Sequence, residues 1–331
     1  MNTVITQFYR GRIIESSHNI KAFISRLNGD VLLDTNNQND LIYPRSSIKI
    51  FQAIPFIISQ ADIKFKLNKK QLALACSSHR GQHFHLKELN GWIKKIGLNR
   101  SKLKCGLHNP LNKEASEIFL RSNKKLHSLY NNCAGKHLAM LCACLAKKQN
   151  IEDYLDFNHP HQETIRYIFE VFSESSINNF NYSVDGCSAP QYSFKIKSLS
   201  VLLTNLLKSY ENKYLFNHET KKLLNAILNN PNFIGGTDSL DSRIISISNK
   251  TIFCKGGAEG VFLFIHLTKK IVGIIKVTDG NERALPSAVY NIFKKLNIMK
   301  KDQLVKLHKL GNFNLNNHAN IKTGEIKTKI K

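Results

Sequence analysis

The sequence predicts an α+β fold, with one antiparallel sheet assembled from both ends of the chain and a mainly helical lobe inserted between them. Three observations lead there. Residues 1 to about 35 carry short β-rich runs, VITQFYRG and NGDVLLD, broken by Asn-Gly-type turn signals. From Ser46 to about 229 the apolar residues recur at helical spacing, in SSIKIFQAIPFII, HLKELNGWIKKIGL, NKEASEIFLRSNKKL, GKHLAMLCACLAKK and ETIRYIFEVFSES. From about 242 strands return as RIISISN, KTIFCK, GVFLFIHLT and IVGIIKVT, and the NK and TKK turns between them predict antiparallel hairpins. A helix, ERALPSAVYNIFKKLN, follows. The polar, basic tail after Gly311 offers an edge strand in EIKTKI or frays. Strand runs at both ends and helices between them predict a sheet lobe at about 1–45 and 235–331 and a helical lobe at about 46–234, with no internal repeat.

The bulk numbers suit this plan. The chain has 331 residues, 42% hydrophobic and 22% charged, enough for a core in one large domain or two closely packed lobes. No apolar run approaches the roughly 20 residues that cross a bilayer. MNTVITQFYRGRII lacks the basic, apolar, small-residue order of a secretion signal. A cytoplasmic protein without membrane contact is expected. The net charge of +24 attracts phosphates in principle. Its cations, however, are dispersed along the chain without an aromatic platform or a recognisable nucleic-acid motif. Lys, Asn and Ile are abundant together, as a mutational bias of the encoding genome produces, so nucleic-acid binding is not expected.

Seven cysteines, an odd count without a signal peptide, argue against a disulfide framework. Cys142 and Cys144 are two apart on a helix and face different sides, which suits small core residues better than a metal pair. Cys133 and Cys187 stand in turn-like contexts instead.

Five segments carry chemistry. YPRSSIKIFQAIPF holds Ser46 and Lys49 where strand gives way to helix; i and i+3 share a helix face, so a lysine can take the proton of a serine nucleophile, with Arg45 alongside. A surface coincidence explains so short a pattern equally well. In LALACSSHRGQHFH an apolar run halts at Ser77, Ser78, His79, Arg80 and Gly81, either an active-site loop or a helix cap. NYSVDGCSAPQYSF sets Cys187 behind an Asp-Gly turn, and Asp185 can meet an ammonium group. IFCKGGAEGVFLF places Lys255 before two glycines beside a sheet edge; a solvated hairpin lysine is the simpler account. NNCAGKH is no phosphate loop, since the upstream glycine is missing and His137 stands where Ser or Thr is required. Cys133 and Cys187 can ligate zinc, with His137 or a neutral Lys136 as a third donor, although their spacing is that of no zinc ribbon.

Together these segments are similar to the rhizobial-type L-asparaginases, the asparaginase II or class 3 family. The matching blocks are YPRSSIKIFQAIPF, ACSSHRGQHFH, NNCAGKHLAMLCAC, DGCSAPQYSFKIKSLS, GGTDSLDSRI, KGGAEGVFLF and KVTDGNERA, in the family's order along nearly the whole chain. The resemblance implies a serine β-lactamase and glutaminase-like fold and hydrolysis of L-asparagine to aspartate and ammonia. It implies two Ser–Lys pairs, Ser46 with Lys49 and Ser78 with Lys255. It implies a zinc held by Cys133, Lys136 and Cys187, substrate contacts at Arg45, Asp185 and His79, and a homodimer. Ser46 is the expected nucleophile, because it opens the core helix. One block departs: the family usually reads Ser-His-Ser-Gly-Glu, and here Ser78-His79 is followed by Arg80, Gly81 and Gln82. That exchange alters the local charge balance. It keeps two alternatives open: another serine amidohydrolase of the same fold, a glutaminase or β-lactam hydrolase, or a degenerate basic protein that binds nucleic acid.

Overall fold

A computed structural model describes residues 2–311 and 313–331. In chain order its strands are β1 (Val4–Arg10), β2 (Ile13–Arg26), β3 (Val31–Asp34), β4 (Leu41–Ile42), β5 (Tyr182–Val184), β6 (Pro190–Tyr192), β7 (Phe194–Lys195), β8 (Ile252–Gly257), β9 (Val261–His266), β10 (Ile271–Val277), β11 (Asn314–Asn316) and β12 (Lys322–Ile330). The chain forms two compact units. One holds the N-terminal segment through Ser47, Phe194–Thr204 and the chain from Ile244 onward; the other holds Ile48–Ser193 and Asn205–Arg243. The second unit thus keeps residues 235–243, and the first takes in a short piece, Phe194–Thr204, from the middle of the chain.

The first unit is built on an eight-stranded sheet of order β11-β12-β1-β2-β10-β9-β8, with β3 beside β2. Its seams are antiparallel. β2 is long enough to serve two neighbours: its first half pairs with β1, and the stretch Ile20–Arg26 pairs with Val277–Ile271 of β10. β9 is buried at every position, the continuous apolar pattern of a strand covered on both faces. β1 alternates buried and half-buried residues. The helix Leu285–Lys295 follows, and Phe293 meets Phe264 of β9 edge-to-face at 4.8 Å. EIKTKI lies within β12, which pairs with β1 from Val4 opposite Ile330 to Arg10 opposite Gly324. β11 forms the outer edge.

Two local expectations are corrected. RIISISN belongs to a helix, Leu240–Ile247, and not to a strand. Its β-branched residues suggested a strand, but the buried positions are Asp241, Ser242, Ile244, Ile245 and Ser248, the i, i+3, i+4, i+7 recurrence of a helix face with Ser242 beside it. Ser239 Oγ also accepts a hydrogen bond from Ser242 N (3.2 Å), as an N-terminal cap does. Consequently Asn249 and Lys250, both at positive φ, join a helix to β8 and do not close a hairpin. The TKK turn does join β9 to β10. The helix Lys301–Gly311 was not foreseen.

The second unit is mainly helical. At its centre runs the helix Lys49–Ile58, buried at every residue from Lys49 to Ile57. It packs against the helices Ala134–Ala146, Pro160–Ser173 and Asn217–Asn229, and Phe51 meets Phe169 and Phe172. The hairpin β5–β6 belongs to the same unit. No described helix is long and apolar enough to cross a membrane.

Candidate active site

In the helical unit the first turn of the central helix carries an amine into an apolar interior. Lys49 is 1% exposed. Its Nζ donates to Ser78 Oγ at 3.0 Å, to Ser77 O at 2.5 Å and to Cys133 Sγ at 3.3 Å. Ser77 and Ser78 follow the helix Lys69–Ala75, which starts from a capping box made by Asn68 and Gln71. The apolar run ends here because Ser77 Oγ turns back to Leu74 O (2.8 Å) and Ser78 N donates to Ile234 O (2.9 Å).

Cys133 precedes the helix Ala134–Ala146. Asn131 shapes that entry: its Oδ1 accepts from Cys133 N (2.8 Å) and its Nδ2 donates to Cys105 O (2.7 Å). Gly135 permits the next contact. A side chain there would begin 2.0 Å from Leu74 O, so only hydrogen lets this helix approach Lys69–Ala75. That approach brings Cys133 to Lys49 and sets Lys136, one turn on, against the β5–β6 turn. Lys136 Nζ donates to Cys187 Sγ at 3.0 Å, and Asp185 Oδ2 lies 3.6 Å from the same sulfur. The turn is tight: Ser188 N donates to Asp185 O, and Ser188 sits at φ +66°.

These groups share protons unevenly. Cys133 donates to Cys187, and that bond together with burial holds its own thiol far up. The same bond, with Lys136 and His137, drives the Cys187 thiol far down against the penalty of burial. Negative charge is therefore favoured at Cys187 over Cys133. Burial works against the Lys136 ammonium, but Cys187, Cys133 and Asp185 outweigh it and its pKa is raised. By contrast burial is the main cause that pushes Cys105 and Cys142 up to about 12, the behaviour of inert core thiols. Cys142 accepts from Trp92 Nε1 at 3.0 Å. His137 hydrogen-bonds Tyr154 through Nδ1 (2.6 Å), and burial keeps its imidazole neutral.

The donor chemistry suits a borderline-soft divalent ion: two cysteine sulfurs and an amine converge in a buried corner. Among the described residues no cluster of three or more His, Cys, Asp or Glu could hold a metal. The set is complete only if the Lys136 nitrogen, once deprotonated, is the third donor.

His79 is fully buried, its Nδ1 accepts from Gly81 N (3.2 Å), and burial depresses its pKa well below the usual value. It is a neutral ring that ties its own loop. The departing loop is balanced locally: Arg80 pairs with Asp238 (2.9 Å), while Gln82 exchanges two hydrogen bonds with Thr237.

In the sheet unit, Ser46 lies in the 3-10 turn Arg45–Ile48, and Arg45 holds a left-handed φ of +53°. β8 runs against this turn. A Cβ on Gly257 would sit 2.5 Å from Pro44 O and 3.2 Å from Ser46 N, so glycine lets the strand approach. Lys255, two residues earlier, shares that strand face. It is buried, and its Nζ donates to Gly256 O at 2.7 Å. The strand runs through both glycines and ends at Gly257. Ser46 precedes the α-helix in a 3-10 turn, and Lys49, in the first turn of that helix, hydrogen-bonds Ser78. Spacing did not reveal Asn131, Tyr154, Thr237 or Asp238; the paired asparagines before Cys133 were the one local signal, as residues that favour such turns.

The fold is of the α+β class, with a buried Ser–Lys–Cys constellation in its helical unit. The sequence model of the L-asparaginase II family matches residues 6–328, and the chain belongs to that family. It is an asparaginase-type amidohydrolase, a hydrolase acting on amides. A comparison with curated proteins gives no match. Among solved structures, a beta-lactamase-type protein of Bacteroides dorei DSM 17855 is similar at a TM-score of 0.37 and 10% identity, over 88% of this chain and 93% of that one. A score that low carries no argument of its own, and the architecture rests on the strands and helices described above.

Proposed function

We propose that this protein hydrolyses L-asparagine to L-aspartate and ammonia, with Ser78 as nucleophile and Lys49 as its proton acceptor. The observation that carries the reading is the 3.0 Å hydrogen bond between Lys49 Nζ and Ser78 Oγ. Once Lys49 has lost a proton, its Nζ accepts from Ser78 Oγ where it now donates, and it takes the hydroxyl proton as Oγ bonds to the side-chain amide carbon. The C–N bond then breaks, the lysine returns the proton to the departing nitrogen, and ammonia leaves. Water hydrolyses the aspartyl ester, its proton returning to the serine through the same amine. Asp185 supplies a carboxylate for the substrate's α-ammonium group.

Cys133, Lys136 and Cys187 would hold zinc. When bound, zinc supplies a fixed positive charge that orients the substrate and keeps its thiol ligands deprotonated. The residues do the rest: Asn131 fixes the entry of Cys133, and the β5–β6 turn fixes Cys187.

A second reading makes Ser46 the nucleophile, as expected from the sequence, with Lys255 as its base. The close approach of β8 at Gly257 favours it. Ammonia release from asparagine by wild type, Ser78→Ala, Ser46→Ala and Lys49→Met separates the two. Ser78→Ala should lose activity by about 10³-fold or more and Lys49→Met by about 10²–10⁴-fold, with Ser46→Ala retaining more than either. Full activity in Ser78→Ala would hand the role to Ser46. Faster turnover of glutamine or a β-lactam than of asparagine would replace the substrate. Absence of any ammonia release, with salt-dependent RNA binding, would replace the class.

A further inference from the structure

The loop that departs from the family's usual block is held to a second segment at three alternate positions. Ser78 N donates to Ile234 O (2.9 Å). Arg80 Nη1 donates to Asp238 Oδ2 (2.9 Å). Gln82 closes a two-bond ring with Thr237, its Nε2 donating to Oγ1 (2.9 Å) and its Oε1 accepting from the backbone N (3.0 Å). Between the last two positions lies Gly236 at φ +101°, where a Cβ would sit 2.8 Å from Gln82 Oε1, 3.3 Å from Arg80 Cβ and 3.3 Å from Asp238 Oδ1. The two segments are therefore in contact throughout, with no room for a water layer at Gly236.

We propose that Arg80 and Gln82 are positioning residues that fix the Ser78 hydroxyl against Lys49 by clamping their loop to the segment Ile234–Asp238. This rests on the reading of Ser78 as nucleophile. The chemistry of each partner is specific. Asp238 Oδ1 is buried with no hydrogen-bond partner among the described residues, so this carboxylate leans on Arg80 through Oδ2. Gln82 uses both ends of its amide, Nε2 donating to Thr237 Oγ1 and Oε1 accepting from Thr237 N. Gln82→Glu keeps the acceptor and leaves the Thr237 hydroxyl to turn and become the donor. What it adds is a second carboxylate in the segment that holds Asp238, so the change tests the charge of the clamp.

The test uses the full-length chain and a fluorophosphonate probe, with attachment to Ser78 counted by peptide mass spectrometry in the absence of asparagine. Gln82→Glu and Arg80→Ala should slow labelling of Ser78 and lower kcat for ammonia release by about ten- to hundredfold, with KM nearly unchanged. Arg80→Lys should retain most of the wild-type rate. The exchange Arg80→Asp with Asp238→Arg should restore labelling that either single change loses. Melting curves guard against unfolding. Variants that melt earlier yet label at the wild-type rate would reduce the clamp to a structural contact and overturn the proposal. So would an exchange that rescues nothing, or a wild type that never labels at Ser78. Wild type that labels at Ser78 but releases no ammonia from asparagine would instead remove the substrate reading, and the labelling rates would still decide the clamp.

Discussion

The bond between Cys133 and Cys187 raises the pKa of the first thiol and lowers that of the second, and Lys136 stabilises negative charge at Cys187. A buried thiolate is costly to leave unpaired, so the two cysteines differ as targets. Cys187→Ala removes the anion that Lys136 answers and leaves a buried ammonium beside Asp185. Cys133→Ala removes a donor to Cys187 but leaves the Lys136–Cys187 pair. Zinc content by elemental analysis should fall to near zero in Cys187→Ala and strongly in Cys133→Ala, while Cys142→Ala keeps the wild-type content. Unchanged zinc in both of the first two would remove the metal site. The cysteine in the Asp-Gly turn and the one before Gly135 were legible as candidates because turns are unusual places for core thiols. Their companion Lys136 was legible only as one of two alternatives, beside His137, and the family's blocks chose between them, since a lysine on an apolar helix has no spacing rule that marks it as a ligand. The link between Lys49 and Ser78 was hidden because it joins two segments through tertiary packing, which no local period records.

One helix crossing decides whether these residues meet. Gly135 lies on the backbone of Leu74, and the obstructing atoms are a carbonyl oxygen and its carbon, which cannot rotate aside. Gly135→Ala must push the helix Ala134–Ala146 off Lys69–Ala75, carrying Cys133 and Lys136 with it. Overpacking of this kind costs about 1–3 kcal/mol, and a backbone obstacle places this case at the upper end. Denaturant titration should show that loss, and the purified variant should hold less zinc than wild type. A variant of full stability and full zinc content would mean the crossing yields freely. Most elements were readable because amphipathic helices and buried strands carry strong periods. The failures are equally physical. The segment Leu240–Ile247 mixes β-branched residues with a helical burial pattern, and its cap comes from Ser239, so propensity and period disagreed and the period won. Lys301–Gly311 is rich in lysine, and its short apolar stripe was lost in the basic tail.

Acid titration tests the helical core through two of its histidines. His85 and His161 are buried, and burial lowers their pKa values to about 4 and about 3 respectively. In the unfolded chain both titrate near the ordinary 6.5. Between these values the unfolded state binds more protons than the folded state, so stability rises with pH and is lost as pH falls. The contribution is fully present above about pH 6.5 and declines as pH falls toward 4 for His85 and toward 3 for His161. A displacement of that size corresponds to about 3 kcal/mol for His85 and somewhat more for His161, a large share of the 5–15 kcal/mol typical of a folded domain. The protein should therefore lose Tm steeply between pH 6.5 and 4. His85→Gln replaces the ring with an amide that can still donate to Asn232 O, the contact His85 Nε2 makes at 3.0 Å. It removes the titrating group, so its Tm should fall less over that interval, even if it starts lower at pH 7. The measurement is a series of melting curves for wild type, His85→Gln and His161→Gln from pH 7.5 to 4. Parallel Tm-against-pH curves for all three would mean that these rings do not hold their neutral form in the folded protein, and acid lability would have to come from its carboxylates.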